Sequence, residues 1–295
     1  MKKLNISLIK YFIVILIAGC NNYSDTSSQN ISVNQTGISL QTENNDTLLK
    51  FVKSISVPDA YERIPVIANS FAEYLRNLSL KQKDNIVYLY NGKQKANQEA
   101  QYVILKIDVG NRDLQQCADA VMRLRAEYLY QQKKYDKIHF NFTSGDTAKY
   151  LKYAQGYRVS ISNNKVFWNL SAKPDSSYKT FRKYLNLIFT YCGTYSLNKE
   201  LIKVNNINDI KIGDVFIQTG NPYGHAIIVM DVAVNKNTNE KIYILAQSYM
   251  PAQEIHILKN PVNNNLSPWY SVKFEGDLET PEWTFKKQNL KRFVD

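Results

Sequence analysis

Beyond residue 50, apolar positions fall into helical and strand-like periodicities. Leu114, Cys117, Val121, Leu124, Tyr128 and Leu129 recur at helical spacing and predict a helix running to about Lys134, with Asp113 placed to cap its start. Ser176 to Phe189 predicts a second long helix ending at Gly193, and Ser70 to Leu78 a short one. Tyr61 to Pro65 reads as extended chain. Apolar runs predict strands at 86–90, closed by Asn91-Gly92, at 101–109, and at 138–142, closed by Thr143-Ser-Gly-Asp146. Further strands are expected at 212–218, 226–234 and 241–247, the last two joined across Asn235–Glu240, with a short one at 254–258. Helices packed on an antiparallel sheet make the expected class α+β.

The opening of the chain has another pattern. Met1-Lys-Lys is followed by a largely apolar run from Ile6 to Ile17, then by Ile17-Ala-Gly-Cys20. That run is too short to span a bilayer and ends in small residues, so 1–19 reads as an export signal. The four residues match the lipobox of bacterial lipoproteins, which implies cleavage before Cys20 and lipidation of its thiol. The expected location is therefore the bacterial cell envelope, with the membrane as a partner through the lipid anchor. Residues 20–50 are rich in Asn, Ser, Thr and Gln and form the expected tether, with a reach of roughly 30 Å for a flexible chain of that length. The remainder, 51–295, is long enough for one α+β domain.

Composition narrows the partners. The formal charge is +11, and the signal holds Lys2, Lys3 and Lys10. The remaining lysines are scattered among Asn and Tyr without a dense basic run, which argues against nucleic acid. The three histidines, His139, His225 and His256, lack metal-ligand spacing, so no metal and no cofactor is expected. Once Cys20 carries lipid, Cys117 and Cys192 remain, either as free thiols or as a disulfide.

Candidate chemistry gathers at two places. Cys117 lies in the opening turn of its expected helix, where the dipole and unpaired N–H groups would lower the thiol pKa and could hold an oxyanion. The alternative is a cysteine packed in the core with Val121 and Leu124. His225 follows the Gly-containing turn Gly220-Asn-Pro-Tyr-Gly224 and leads the apolar run Ala226 to Met230, a rigid base beside an open turn. Gln247, on the strand next to that of His225, can orient the imidazole. Asp231, six residues along the same strand, is roughly 20 Å away; Gln253 and His256 are further candidates.

Gly213-Asp214 leading one strand and Gly224-His225 leading another, with a cysteine at a helix start upstream, resemble papain-like cell-wall hydrolases of the NlpC and CHAP types. The resemblance implies a papain-like core and a cysteine peptidase or amidase acting on peptidoglycan peptides. Cys117 would be the nucleophile, His225 the base and Gln247 the orienting group. The chain departs from that pattern in having Ala118-Asp119 after the cysteine, where those enzymes have Ser-Gly, and a strand ahead of the cysteine helix. The segments Tyr61–Pro65, Ile107–Leu129, His139–Gly145 and Leu245–Gln253 resemble a family of lipoproteins from Bacteroides-type bacteria, catalogued as a domain of unknown function. A cysteine hydrolase, a thioesterase or acyltransferase using the same pair, and a non-catalytic envelope lipoprotein are the readings carried forward. In the last of these, His139, Trp269, Tyr270 and Trp283 would serve partners or packing.

Overall fold

A computed structural model describes residues 49–163 and 165–294. The export signal, Cys20 and the tether up to residue 48 lie outside the described residues. In chain order the elements are β1 (Tyr61–Arg63), α1 (Phe71–Arg76), β2 (Gln101–Ile104), α2 (Cys117–Gln131), β3 (His139–Asn141), β4 (Thr147–Lys149), α3 (Tyr150–Ala154), β5 (Tyr157–Ser162) and β6 (Lys165–Leu170). They continue with α4 (Tyr178–Tyr191), α5 (Thr194–Glu200), β7 (Ile202–Lys203), β8 (Val215–Gln218), β9 (His225–Asn235), β10 (Lys241–Gln247), β11 (His256–Leu258), β12 (Trp269–Ser271), β13 (Leu278–Glu279), β14 (Thr284–Phe285) and β15 (Leu290–Arg292). The class is α+β.

Nine strands form the main sheet in the order β2-β11-β10-β9-β8-β15-β7, with β1 also paired to β9 and β12 to β10. Every pairing in it is antiparallel. Strand β9 is buried from His225 to Ala233, and Ile242 to Gln247 of β10 is buried as well. Continuous apolar runs of this kind belong in the middle of a sheet covered on both sides. Helix α2 packs on β9 and also meets α1, α4 and α5. Its residues Ala118 to Leu129 are all buried, so the stripe expected from periodicity is in fact a helix enclosed all round.

Several sequence expectations change. Asp113 does not cap α2: the cap is Gln116, completed by Asp119, whose Oδ2 accepts from the Gln116 N–H at 3.0 Å. Asp113 instead accepts from the Ala252 N–H at 2.7 Å. Cys117 is therefore the first residue of the helix, and Leu114 lies before it. The expected strand at 86–90 is reduced to isolated bridges at Tyr88 and Leu89, although the Asn91-Gly92 turn forms with Gly92 at φ 80°. The strand expected at 101–109 stops at Ile104, beyond which Leu105 forms an isolated bridge with Leu80 and the Lys106 N–H donates to the Ser79 carbonyl. Gly193 does not close α4 in a left-handed turn; its φ is −177° and it caps α5.

One buried charge ties the N-terminal elements to the sheet. Asp231, fully buried on β9, meets Arg63 of β1 and Arg76 of α1, each Nε at 2.6 Å. Arg76 also donates to the carbonyls of Ile64 and Val232. Removing the carboxylate would leave a buried guanidinium unpaired. Asp231→Ala is expected to lower unfolding stability by about 3–5 kcal/mol, read by urea denaturation, whereas breaking the exposed Lys236–Glu62 pair should cost under about 1 kcal/mol.

Candidate active site

The pre-helix loop is held down before the helix begins. Arg123, one and a half turns into α2, donates to the Asp108 carbonyl and to Gln115 Oε1, which draws residues 108–115 back over the helix. The Ser248 hydroxyl oxygen lies 3.0 Å from the Gln115 carbonyl oxygen, at the point where this loop meets the end of β10. Cys117 is thereby delivered to the mouth of β9, where its Sγ lies 4.0 Å from the Gly224 carbonyl oxygen.

His225 begins β9, opposite Gln218 of β8. The register pairs Ala246 with Ile228, so Gln247 faces Ile227 and is the diagonal neighbour of His225 on the same side of the sheet. His225 Nε2 and Gln247 Oε1 are 2.9 Å apart. An amide oxygen can only accept, so the imidazole carries its proton on Nε2, and Nδ1 is left as the basic nitrogen.

What fixes the amide of Gln247 is a residue that sequence patterning did not pick out. Glu282, just before β14, accepts from Gln247 Nε2 at 2.7 Å. His256 Nε2 lies 3.3 Å from the same nitrogen, and its Nδ1 lies 3.0 Å from the Glu254 carbonyl. The carbonyl must receive a proton from Nδ1–H, which makes His256 Nε2 an acceptor. Two acceptors on one side of the amide force its NH₂ toward them and its oxygen toward His225. Glu282 is itself paired with Lys95 at 2.5 Å and accepts from Asn97 at 3.1 Å. A carboxylate in the loop between two two-residue strands has no periodic signature. Its single hint in the sequence was its place beside Trp283.

Three aromatic rings surround the imidazole: Tyr249 at 4.8 Å, Trp283 at 5.2 Å and Phe285 at 5.8 Å between ring centres. Burial among them pushes the His225 pKa down to about 4, against which the Gln247 hydrogen bond pulls upward. Burial pushes the Cys117 thiol up to about 11, aided by the nearby Asp119 carboxyl; the backbone N–H groups of Ala226, Ala118 and Cys117 pull the other way. The expectation of a thiolate stabilised by the helix start is thus overturned: desolvation outweighs the dipole, and the resting pair is neutral. Cys192 is also a free thiol, so the Cys117–Cys192 disulfide is not formed.

Cys117, His225, Cys192, Tyr249 and Trp283 line one cavity of about 300 Å³. Gln247 stands behind the imidazole, and His256 behind Gln247. Asp231 lies in its arginine pair. Gln253 is buried, and its backbone carbonyl accepts from Ser248 at 2.8 Å. His139 is exposed on β3, its ring nitrogen near the Lys137 carbonyl, and Trp269 and Tyr270 are core residues of β12.

A family model described as Domain of unknown function (4846) matches residues 51–292. The chain belongs to that family. No curated protein and no solved structure matches it. Lys95, Cys117, His225, Gln247 and Glu282 all fall inside the family region. Among the described residues, no helix is long and apolar enough to cross a membrane, and no group of three or more His, Cys, Asp or Glu is placed to hold a metal ion.

The neutral pair has a measurable consequence. Alkylation follows the thiolate fraction, so the rate of Cys117 modification by iodoacetamide should be low at pH 7 and climb about tenfold per pH unit toward pH 11. A plateau already reached at pH 5 would instead mean a resting thiolate–imidazolium pair.

Proposed function

We propose that this protein is a cysteine hydrolase with a papain-like core that cleaves an amide or peptide bond in the bacterial envelope, where lipidated Cys20 anchors it. The observation that carries this reading is that Cys117 and His225 line one cavity while Gln247 holds Nε2 of the ring at 2.9 Å. A helix bearing the thiol on an antiparallel sheet that supplies first the histidine and then the amide supports the papain-like assignment. Peptidoglycan peptides are the substrate class that the NlpC and CHAP resemblance brings to the reading.

In the reaction, the Cys117 sulfur attacks the substrate carbonyl while its proton passes to His225 Nδ1. Backbone N–H groups of Cys117 and Ala118, at the unpaired start of the helix, receive the oxyanion. The imidazolium then protonates the leaving amine as the C–N bond breaks. Water activated by the same ring hydrolyses the thioester and restores the thiol. A neutral pair suits a general-base route in which substrate binding, rather than a resting ion pair, triggers the proton transfer. Transfer of the acyl group to an alcohol or amine in place of water would make the same pair an acyltransferase.

A second reading draws on the high thiol and low imidazole pKa values: the same buried pair in a non-catalytic envelope lipoprotein.

Cys117→Ala is expected to abolish release of new amines from envelope peptides, and His225→Ala to lower the rate by about 10²–10⁴-fold. In the wild-type protein kcat/KM should hold level from neutral pH downward and fall only as His225 is protonated, near pH 4. Unchanged amine release by the Cys117→Ala protein would decide for the second reading. Separately, Cys20→Ser should move the full chain from the membrane pellet to the soluble fraction after cell lysis.

A further inference from the structure

The acid that follows the nucleophile is unspent. Asp119 is buried at 6% exposure and lines the cavity shared by Cys117 and His225. Its Oδ2 caps the helix, whereas its Oδ1 is buried without a hydrogen-bond partner. Unpaired buried carboxyl oxygens are costly, and one inside a ligand-sized cavity is the group expected to receive a ligand donor. The rest of the lining indicates which donor. It includes a second acid, Asp113, and the rings of Phe189, Tyr223, Tyr249 and Trp283, with no lysine or arginine. Carboxylates beside aromatic faces, without a competing cation, favour an ammonium group.

We propose that Asp119 Oδ1 receives a primary ammonium group of the substrate, so that the hydrolase acts on peptides carrying a free amine close to the scissile bond. This inference rests on the hydrolase reading for its catalytic consequence, but binding of the amine does not depend on it. Asp119 is two residues from Cys117, so the amine it holds belongs to the residue being acylated or to its neighbour. Longer peptides with blocked or distant amines are then poor substrates, and the enzyme trims from an amino end.

The titratable groups facing Asp119 are Cys117 on its own helix and Cys192 at the end of α4, with Asp113, His225 and Tyr249 elsewhere on the cavity wall. None supplies a positive charge in the resting state. Burial raises Asp119 well above the usual carboxylate range, so an ammonium group binds there in competition with a proton. Binding should therefore weaken as pH falls.

The test uses Cys117→Ala protein, so that binding is read without turnover. A panel of dipeptide amides, each paired with its N-acetylated form, is titrated by calorimetry in buffers of different pH. At least one free-amine member should bind about 10- to 100-fold tighter than its acetylated partner, an advantage that shrinks as pH falls. Adding Asp119→Asn, which keeps an acceptor for the Gln116 N–H, should erase both the preference and its pH dependence. Thermal unfolding of the double variant checks that the fold persists, and Asp119→Ser, which also keeps a cap acceptor, serves if it does not. Equal binding of both forms, a preference that survives at position 119, or no binding by any member overturns the proposal. Loss of turnover on Cys117→Ala is measured separately, so the hydrolase reading and the amine site stand or fall apart.

Discussion

The turn before β9 closes against β8 and α5 because residue 224 has no side chain. A Cβ on Gly224 would lie 2.2 Å from the Gln218 carbonyl oxygen and 2.8 Å from the Thr194 hydroxyl oxygen. Any other residue would force apart β8, the turn before β9 and the start of α5. With glycine there, the carbonyl of residue 224 can lie against the sulfur, and the next residue can turn its imidazole into the same cavity. The apolar strand behind it, buried throughout its first nine residues, keeps that turn from shifting.

Around this contact, polar groups are arranged by hydrogen bonding rather than by charge. The aromatic wall removes water from His225, and the same burial keeps the thiol protonated. What remains is direction. Each group in the series from Lys95 through Glu282 and Gln247 to His225 has one partner that dictates its orientation, and the fixed acceptors at Glu282 and His256 set the polarity of the amide between them. Such a network costs little while every member is satisfied and much if one is lost. Formal charges are kept to its outer end, at the Lys95–Glu282 pair.

The central strands were readable because the pattern that predicts them is the one that buries them: 241–247 is matched residue for residue, and 226–234 to within one residue at each end. The helix beginning near residue 114 was readable for the same reason, but its first turn was not. Asp113 is the better cap by residue type, yet Gln116 takes that place, and the choice depends on the loop that Arg123 folds back, a long-range contact with no local signature. The hairpin of β5 and β6 escaped notice because its residues are half-exposed, which blurs alternation. Cys117, His225 and Gln247 could be named from residue type and position along predicted elements. The protonation of the pair could not, because it is set by Tyr249, Trp283 and Phe285, brought together only by the fold. Glu282 could not be named for the same reason.

Glu282 lies far beyond the thiol in the sequence and Lys95 before it. The orientation of the imidazole therefore waits for the segment that carries Glu282. A chain emerging from a ribosome or an export channel with its amino end leading would present Cys117, and later His225, without the carboxylate that turns Gln247 toward the ring. Until its carboxy-terminal segment has folded back on the sheet, such a chain would hold the reacting groups unaligned. Alignment of the cavity would thus be coupled to the folding of that late segment.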